Sequence, residues 1–278
     1  GFANGGSIVS IHPIHAMKKR PLGQNFLIDP GIAQHIVQLA QIRPGEPVVE
    51  IGPGKGILTQ LLVQQADSLT ALELDPRLSR ELENRFSGTD TFKLIEGDAA
   101  KFDYSSLGTG LNIVSNLPYY AATHIMKKLI HYREHIRSMT LMLQKEVVDR
   151  LTAKPDSRAY GSLSVYVQYH CEVQRLLEIP NTAFSPKPKI DSSLIGLTPL
   201  PHPKVQVENP KLFFKMVNSA FFHKRKMLKN NLKDWQHLFD QENGQAHLAG
   251  IDLNRRGETL SLKDFADIAN HVHALTAA

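Results

Sequence analysis

Between residues 45 and 150, short apolar runs end one after another in turn-forming residues and then give way to stretches with helical spacing. Val48–Ile51 leads into Gly52, and Leu69–Leu74 into Asp75-Pro76. Phe92–Ile95 leads into Gly97-Asp98, and Leu111–Ser115 into Asn116-Leu117-Pro118-Tyr119. Met139–Leu143 is a fifth run, and helical patterns over 57–66, 77–86 and 122–133 separate the strands. Pro76 fits the first turn of a helix, where a missing N–H costs nothing. Such alternation predicts an α/β domain on a parallel sheet. It also gathers every strand-to-helix turn on one edge of the sheet, where α/β proteins hold ligands. Residues 160–170 fit helix or strand equally, and 173–179 and 192–198 read as late strands, paired as a hairpin at one sheet edge.

Thr198–Pro203 is rich in proline and reads as a linker. Beyond it glycines thin out, and Phe213, Val217, Phe221, Leu228 and Leu232 follow helical spacing, which predicts a small helical domain over 204–278. The 278 residues are enough for one large domain and a smaller one, and 42% hydrophobic with 21% charged residues excludes a largely disordered chain. The lone Cys171 excludes an internal disulfide and a multi-cysteine zinc site, and fits a reducing, intracellular compartment. It reads as buried and inert. No apolar run approaches the roughly 20 residues of a membrane span. Residues 1–16 lack any charged side chain and carry three glycines in the first six, so they read as a tag remnant before a native start at Met17.

The turns carry the chemistry. Gly52-Pro53-Gly54-Lys55-Gly56 lets a backbone approach a ligand closely; on its own it is also what a tight turn with no ligand needs. Glu73, 21 residues after Gly52, closes the second strand, where a carboxylate accepts both hydroxyls of a ribose. The alternative is an exposed acid before a helix N-terminus. Asp98 closes the third, suited to an adenine amino group. Three consecutive strand ends of this kind suit a nucleoside. The fourth ends in Asn116-Leu117-Pro118-Tyr119. An exocyclic base amine is a weak nucleophile because its lone pair is conjugated with the ring. The Asn116 side-chain oxygen and the Leu117 carbonyl can accept its N–H groups and favour a pyramidal nitrogen. Pro118 stiffens the turn, and Tyr119 can stack on the base. The alternative for the tetrapeptide alone is a β-turn with a packed tyrosine.

Gly23-Gln24-Asn25-Phe26-Leu27, Glu50-Ile51-Gly52-Pro53-Gly54, Glu73-Leu74-Asp75, Gly97-Asp98-Ala99, Asn116-Leu117-Pro118-Tyr119 and Phe184–Ser192 occur in that order. Together they resemble the ribosomal RNA adenine N6,N6-dimethyltransferase family from about residue 17 to the C-terminus, and its bacterial small-subunit branch most. The resemblance implies a Rossmann-like class I S-adenosylmethionine-dependent methyltransferase domain over 17–203 and an all-helical, RNA-binding domain over 204–278. It implies S-adenosyl-L-methionine as methyl donor. The implied reaction is dimethylation of two adjacent adenines in the 3′-terminal hairpin loop of 16S rRNA, in the 30S subunit or its precursor, by a cytoplasmic monomer. Carried over, the donor contacts fall on Asn25, Leu27, Gly52, Gly54, Glu73, Asp98 and Asn116, and the target-base contacts on Asn116, Leu117, Tyr119 and, from the opposite face, Phe184. Without its flanking prolines Phe184 reads as a core aromatic, and Asn25 as a helix cap. Residues 120–122 read Tyr-Ala-Ala where many relatives carry Asn-Ile-Ser, so Tyr120 is assigned no role.

Apolar and basic residues interleave from Ala220 to Leu232, read as one helix, and Lys224, Arg225, Lys226 and Lys229 suit phosphate contacts. The chain's net charge is +5, yet residues 211–233 alone hold seven basic residues and no acid. Lys18, Lys19 and Arg20 form a second cluster. A solvated basic helix face is the alternative. The 13 histidines show no metal-ligand spacing, and no metal is expected. Two other functions fit the same residues: a 23S rRNA adenine methyltransferase of the macrolide-resistance type, and an RNA-binding ribosome-assembly factor whose catalysis is secondary.

Overall fold

The computed structural model describes residues 25–242 and 245–277; the tag reading for 1–16, the Lys18–Arg20 cluster and Gly23-Gln24 lie outside them. The strands are β1 (Phe26–Leu27), β2 (Pro47–Ile51), β3 (Ser68–Glu73), β4 (Phe92–Glu96), β5 (Leu111–Asn116), β6 (Ile136–Gln144), β7 (Cys171–Ile179), β8 (Phe184–Ser185), β9 (Ser192–Pro199), β10 (Asp240–Glu242), β11 (Gln245–Leu248) and β12 (Ile251–Asp252). The helices are α1 (Pro30–Leu39), α2 (Thr59–Leu62), α3 (Pro76–Arg85), α4 (Ala122–His131), α5 (Lys145–Thr152), α6 (Ser162–His170), α7 (Pro210–Phe222), α8 (Leu228–Asn231) and α9 (Leu262–Ala277).

Seven strands form the main sheet in the order β4-β3-β2-β5-β6-β9-β7. The first five are mutually parallel. β9 runs antiparallel to β6, and β7 antiparallel to β9 at the edge, as the late-strand pattern predicts. The chain winds outward from β2 through β3 to β4, then returns to lay β5 against β2 and continues to β6. The β2–β5 junction is therefore the topological switch point, whose carboxyl end opens a crevice. The central strands are buried on both faces, which is why they read as continuous apolar runs. Asp29 and Asp75 cap α1 and α3, each followed by a proline at the helix start. Asn25 is thus not the cap of α1.

Helical hydrogen bonding does run from Gly56 to Ala66, but i→i+3 and i→i+4 bonds alternate, so only α2 closes as regular helix. Of residues 160–170, Ser162–His170 resolve as helix. Val167 of α6 packs into the core of the parallel sheet, while Val165 and Tyr169 pack into the core of the C-terminal segment. With two buried faces, α6 has no single apolar stripe to announce it.

The all-helical reading of 204–278 needs correction. Residues 240–252 form a three-stranded antiparallel ribbon, β10-β11-β12. Ala249 and Gly250, both at positive φ (53° and 74°), turn the chain from β11 into β12. The single helix over 220–232 is corrected as well. α7 stops at Phe222, and helix resumes only at Leu228. The break is enforced by the ribbon's outgoing chain: Met227 bridges Arg256, the Leu228 N–H donates to Arg255 O (2.8 Å), and the Lys229 N–H donates to Leu253 O (3.0 Å). Asn231 Nδ2 donates to the carbonyls of Ala220 (2.8 Å) and His223 (3.1 Å), which satisfies acceptors left over at the end of α7. Cys171 is buried, and burial pushes its thiol up to about 12, so it stays protonated and unreactive.

Glu50, at 1% exposure, is the anomaly of the central sheet. Thr59 Oγ1 donates to its Oε2 at 2.7 Å. Burial pushes its carboxyl from the usual 4.5 up to about 8; the nearby Glu73 adds to this and the Thr59 bond opposes it. The folded chain therefore holds a proton that the unfolded chain releases, and stability falls as pH rises from about 4.5 to about 8. Glu50→Gln keeps an acceptor for Thr59 and removes the titration. In thermal melts, its stability gain over the parent should be near zero at pH 4.5 and grow by up to about 1.4 kcal/mol per pH unit toward pH 8. A gap that does not change with pH would show that Glu50 folds ionised.

Candidate active site

The registers of the parallel strands end in step. Ile51 pairs with Leu72 on one side and Ser115 on the other, so Gly52, Glu73 and Asn116 come level. Glu73 in turn pairs with Glu96, one residue before Gly97-Asp98. Backbone bonds carry the ladder past the strand ends: Gly52 N–H to Leu72 O (2.9 Å), Gly97 N–H to Glu73 O (2.8 Å) and Leu117 N–H to Met142 O (3.3 Å). Buried Ser115 locks the switch point by donating its hydroxyl to Ile51 O at 2.6 Å. These bonds leave the turns little freedom.

The turns enclose a cavity of about 440 Å³. Of the predicted residues, Asn25, Gly52, Glu73, Asp98, Asn116, Leu117 and Tyr119 all line it. The walls between are apolar, from Ile51, Leu72 and Ala99. Leu27 and Gly54 do not reach it; they line a small adjoining recess shared with Phe26 and Asn116. Gly52 and Gly54 both hold positive φ (65° and 57°). A Cβ on Gly54 would lie 3.0 Å from the Phe26 ring, so glycine at 54 gives that ring room to seat against the turn.

Glu73 is 2% exposed yet walls the cavity. Burial raises its carboxyl above the ordinary value, opposed by N–H bonds from Asp75 (2.9 Å), Gly54 (3.2 Å) and Leu74. Each oxygen so engaged keeps a second lone pair for a ligand hydroxyl. Asp98 Oδ1 accepts the Ala100 N–H at 2.9 Å, and Lys101 lies 3.9 Å from Oδ2. On the fourth turn, the Ala121 N–H donates to Pro118 O (3.0 Å) and fixes the tetrapeptide. The Tyr119 hydroxyl bonds the buried Ser192 Oγ at 2.7 Å, tethering its ring to the start of β9. Burial raises that phenol, so it stays neutral. Leu117 is buried at 1% exposure and lines the cavity.

Phe184 is not brought to this cavity. β1 and β8 pair antiparallel with Leu27 opposite Phe184. Strand alternation turns both inward to a core with Ile36 and Met142, leaving Phe184 3% exposed. The same alternation sends Phe26, which had no assigned role, to the cavity wall. Its place between Asn25 and Leu27 is the signal that identifies it. Tyr120, 61% exposed, stands on the cavity wall beside Tyr119; its departure from the family pattern hid it. Glu50 sits beneath the site, where a buried acid that stays protonated leaves Glu73 the nearby ionisable carboxylate.

Lys224, Arg225, Lys226 and Lys229 are exposed around the break after α7. Lys224 Nζ donates to Arg158 O and Lys229 Nζ to Asn254 Oδ1 (2.7 Å). Lys215 pairs with Asp234 (3.5 Å), whereas none of these four forms an ion pair among the described residues. Among those residues no three His, Cys, Asp or Glu side chains converge as a metal site, and no helix is long and apolar enough to cross a membrane.

Comparison with known proteins points to one family. Residues 15–274 match the family model described as ribosomal RNA adenine dimethylase. Two curated relatives are each called ribosomal RNA small subunit methyltransferase A. The one from Clostridium acetobutylicum is 40% identical over 91% of this chain and 92% of its own length. The one from Geobacillus thermodenitrificans is 41% identical over 91% of this chain and 90% of its own length. The crystal structure of a dimethyladenosine transferase from Plasmodium falciparum superposes with a TM-score of 0.70 at 26% identity, covering 87% of this chain and 95% of that one. With a cavity built from the ends of four neighbouring parallel strands and a family match across almost its whole length, the chain belongs to the ribosomal RNA adenine dimethylases.

Proposed function

We propose that the chain dimethylates N6 of two adjacent adenines in the 3′-terminal hairpin loop of 16S rRNA, in the 30S subunit or its precursor, and does so in the cytoplasm as a monomer. The observation that carries the reading is the level row of Gly52, Glu73 and Asn116, with Asp98 one strand further, around a single cavity. The small-subunit names of relatives about 40% identical over nine-tenths of both chains support the choice of substrate.

The methyl donor is S-adenosyl-L-methionine, which when bound supplies an activated methyl group on a sulfonium. The donor set fits it. Glu73 offers carboxylate lone pairs for a ribose, Asp98 an acceptor for an adenine amine, and Gly52 a backbone with no side chain in the way. Asn25 and Asn116 close the cavity from two sides.

The rest is positioning. The target adenine leaves its stack and enters beside Tyr119, whose ring is tethered through Ser192 and so is already oriented. The Asn116 side-chain oxygen and the Leu117 carbonyl accept the two N–H groups and draw the amine's lone pair out of conjugation. No strong base is needed, because the amine becomes acidic once alkylated and releases its proton to water. A monomethylated amine still carries one N–H, which one of the two acceptors can hold for the second transfer.

The test is methyl transfer by the purified chain to unmodified 30S subunits and to naked 23S rRNA. Transfer to the 30S subunits alone is expected, and transfer only to 23S rRNA would overturn the substrate. Asn116→Ala should lower the rate on 30S subunits by at least a hundredfold while RNA binding stays within a few-fold. Near-normal turnover by that variant would remove Asn116 from the chemistry.

A further inference from the structure

α7 ends on two phenylalanines that face opposite ways. Phe221 turns inward, against Tyr160 and Phe265. Phe222 turns outward and is 79% exposed, more than any other large apolar side chain among the described residues. Packing does not require it there, since the inward face of α7 is filled by Phe213, Met216, Val217 and Ala220. His223 packs edge-on beside it, with ring centroids 4.8 Å apart and planes at 77°. This contact leaves the ring largely uncovered.

Phe222 forms one wall of an open cleft of about 440 Å³, separate from the cavity at the strand ends. The volume lies within the range of about 300–1,000 Å³ typical of sites for small organic ligands. Lys226 and Lys233 stand on the cleft, and neither forms an ion pair among the described residues. Lys215, also on the cleft, is already engaged by Asp234 and by the Trp235 ring 5.1 Å away. Asn218 and Asn230 add side-chain amides, which both donate and accept. A flat exposed π-face, uncompensated cations and amides in one concave place match a nucleotide: base, phosphate and base edge. A membrane surface wants a wider apolar patch than Phe222 and Met227 provide.

We infer that this cleft holds one unstacked nucleotide of single-stranded RNA, its base on Phe222 and its phosphates beside Lys226 and Lys233. The inference rests on the RNA-modifying reading above and adds to it a second place, outside the catalytic cavity, where the substrate is gripped.

Equilibrium binding of the full chain to naked 16S rRNA and to unmodified 30S subunits tests it, over a series of salt concentrations. Phe222→Ala should weaken binding to both by between about fivefold and a hundredfold, as loss of one base–aromatic stack does. Its slope of log affinity against log salt should match the parent's, because no charge is removed. Lys226→Ala should lower that slope by about 0.7–0.9. Phe222→Trp should keep parental affinity and Phe222→Leu should behave as the alanine variant, which separates stacking from mere apolar contact. Parental affinity of Phe222→Ala for naked 16S rRNA would overturn the inference, including the case where binding is lost only on 30S subunits and the cleft takes a protein. Parental affinity of Phe222→Leu would overturn it too. If the parent itself neither binds nor methylates 16S rRNA, the functional reading fails instead, and unchanged donor affinity in every variant shows that the fold is intact.

Discussion

The structure depends on a parallel ladder whose strands stop in step. In a parallel pair the hydrogen bonds are evenly spaced, so two registers fix the relative height of three strand ends. Here Ile51 pairs with both Leu72 and Ser115, and that alone brings Gly52, Glu73 and Asn116 level at the switch point. Slipping any of these strands by one residue would turn its side chains to the opposite faces and bury what must face the cavity. The Ser115–Ile51 bond and the backbone bonds beyond the strand ends hold the register where the chain is about to leave the sheet. The catalytic geometry follows from the core: residues buried for packing set the place of residues left open for chemistry.

That dependence explains how much was legible in the sequence. The parallel strands are buried on both faces and so written as apolar runs, and their ends are punctuated by glycine, proline and acids. The cavity residues Gly52, Glu73, Asp98 and Asn116 could thus be found by position along the chain. Features decided by tertiary contact were not legible in that way. α6 serves two cores, with Val167 in one and Tyr169 in the other, and shows no stripe. α7 stops at Phe222 because the segment after it pairs with residues 253–256, a long-range event. Phe184 faces the core because it lies opposite Leu27, and pairing between residues so far apart in sequence is invisible until the sheet forms. The ribbon over 240–252 did leave a local trace. Asn243-Gly244 and Ala249-Gly250 are turn-forming pairs at even spacing, outweighed by the helical stretches around them.

The charge distribution follows the same division of labour. The sheet edge offers carboxylates at Glu73 and Asp98 to a ligand's hydroxyl and amino groups, while the break after α7 displays Lys224, Arg225 and Lys226 in a stretch of seven basic residues without an acid. A chain with a net charge of only +5 thus carries its densest basic stretch apart from the acids that line the cavity. α6 links the two regions physically, since the core of the C-terminal segment draws on Val165 and Tyr169 as well as Ala153 and Tyr160. The two parts share a packed helix rather than a bare linker, which favours a fixed angle between the basic surface and the cavity.

The ends of β2, β3 and β4 are proposed to hold the nucleoside of the methyl donor, with Glu73 on its ribose. Calorimetric titration of S-adenosylmethionine into the parent and into Glu73→Gln tests it most directly. The exchange keeps the shape of the side chain and one acceptor but replaces the other with a donor. Loss of a charged hydrogen bond of this kind is worth about 1.5–3 kcal/mol, so affinity should fall by about ten- to a hundredfold; the melting temperature should fall as well, because both carboxylate oxygens also accept backbone N–H bonds and the new amide sets a donor against Gly54 or Asp75. Equal affinity in the two proteins would place the ribose elsewhere and contradict the account.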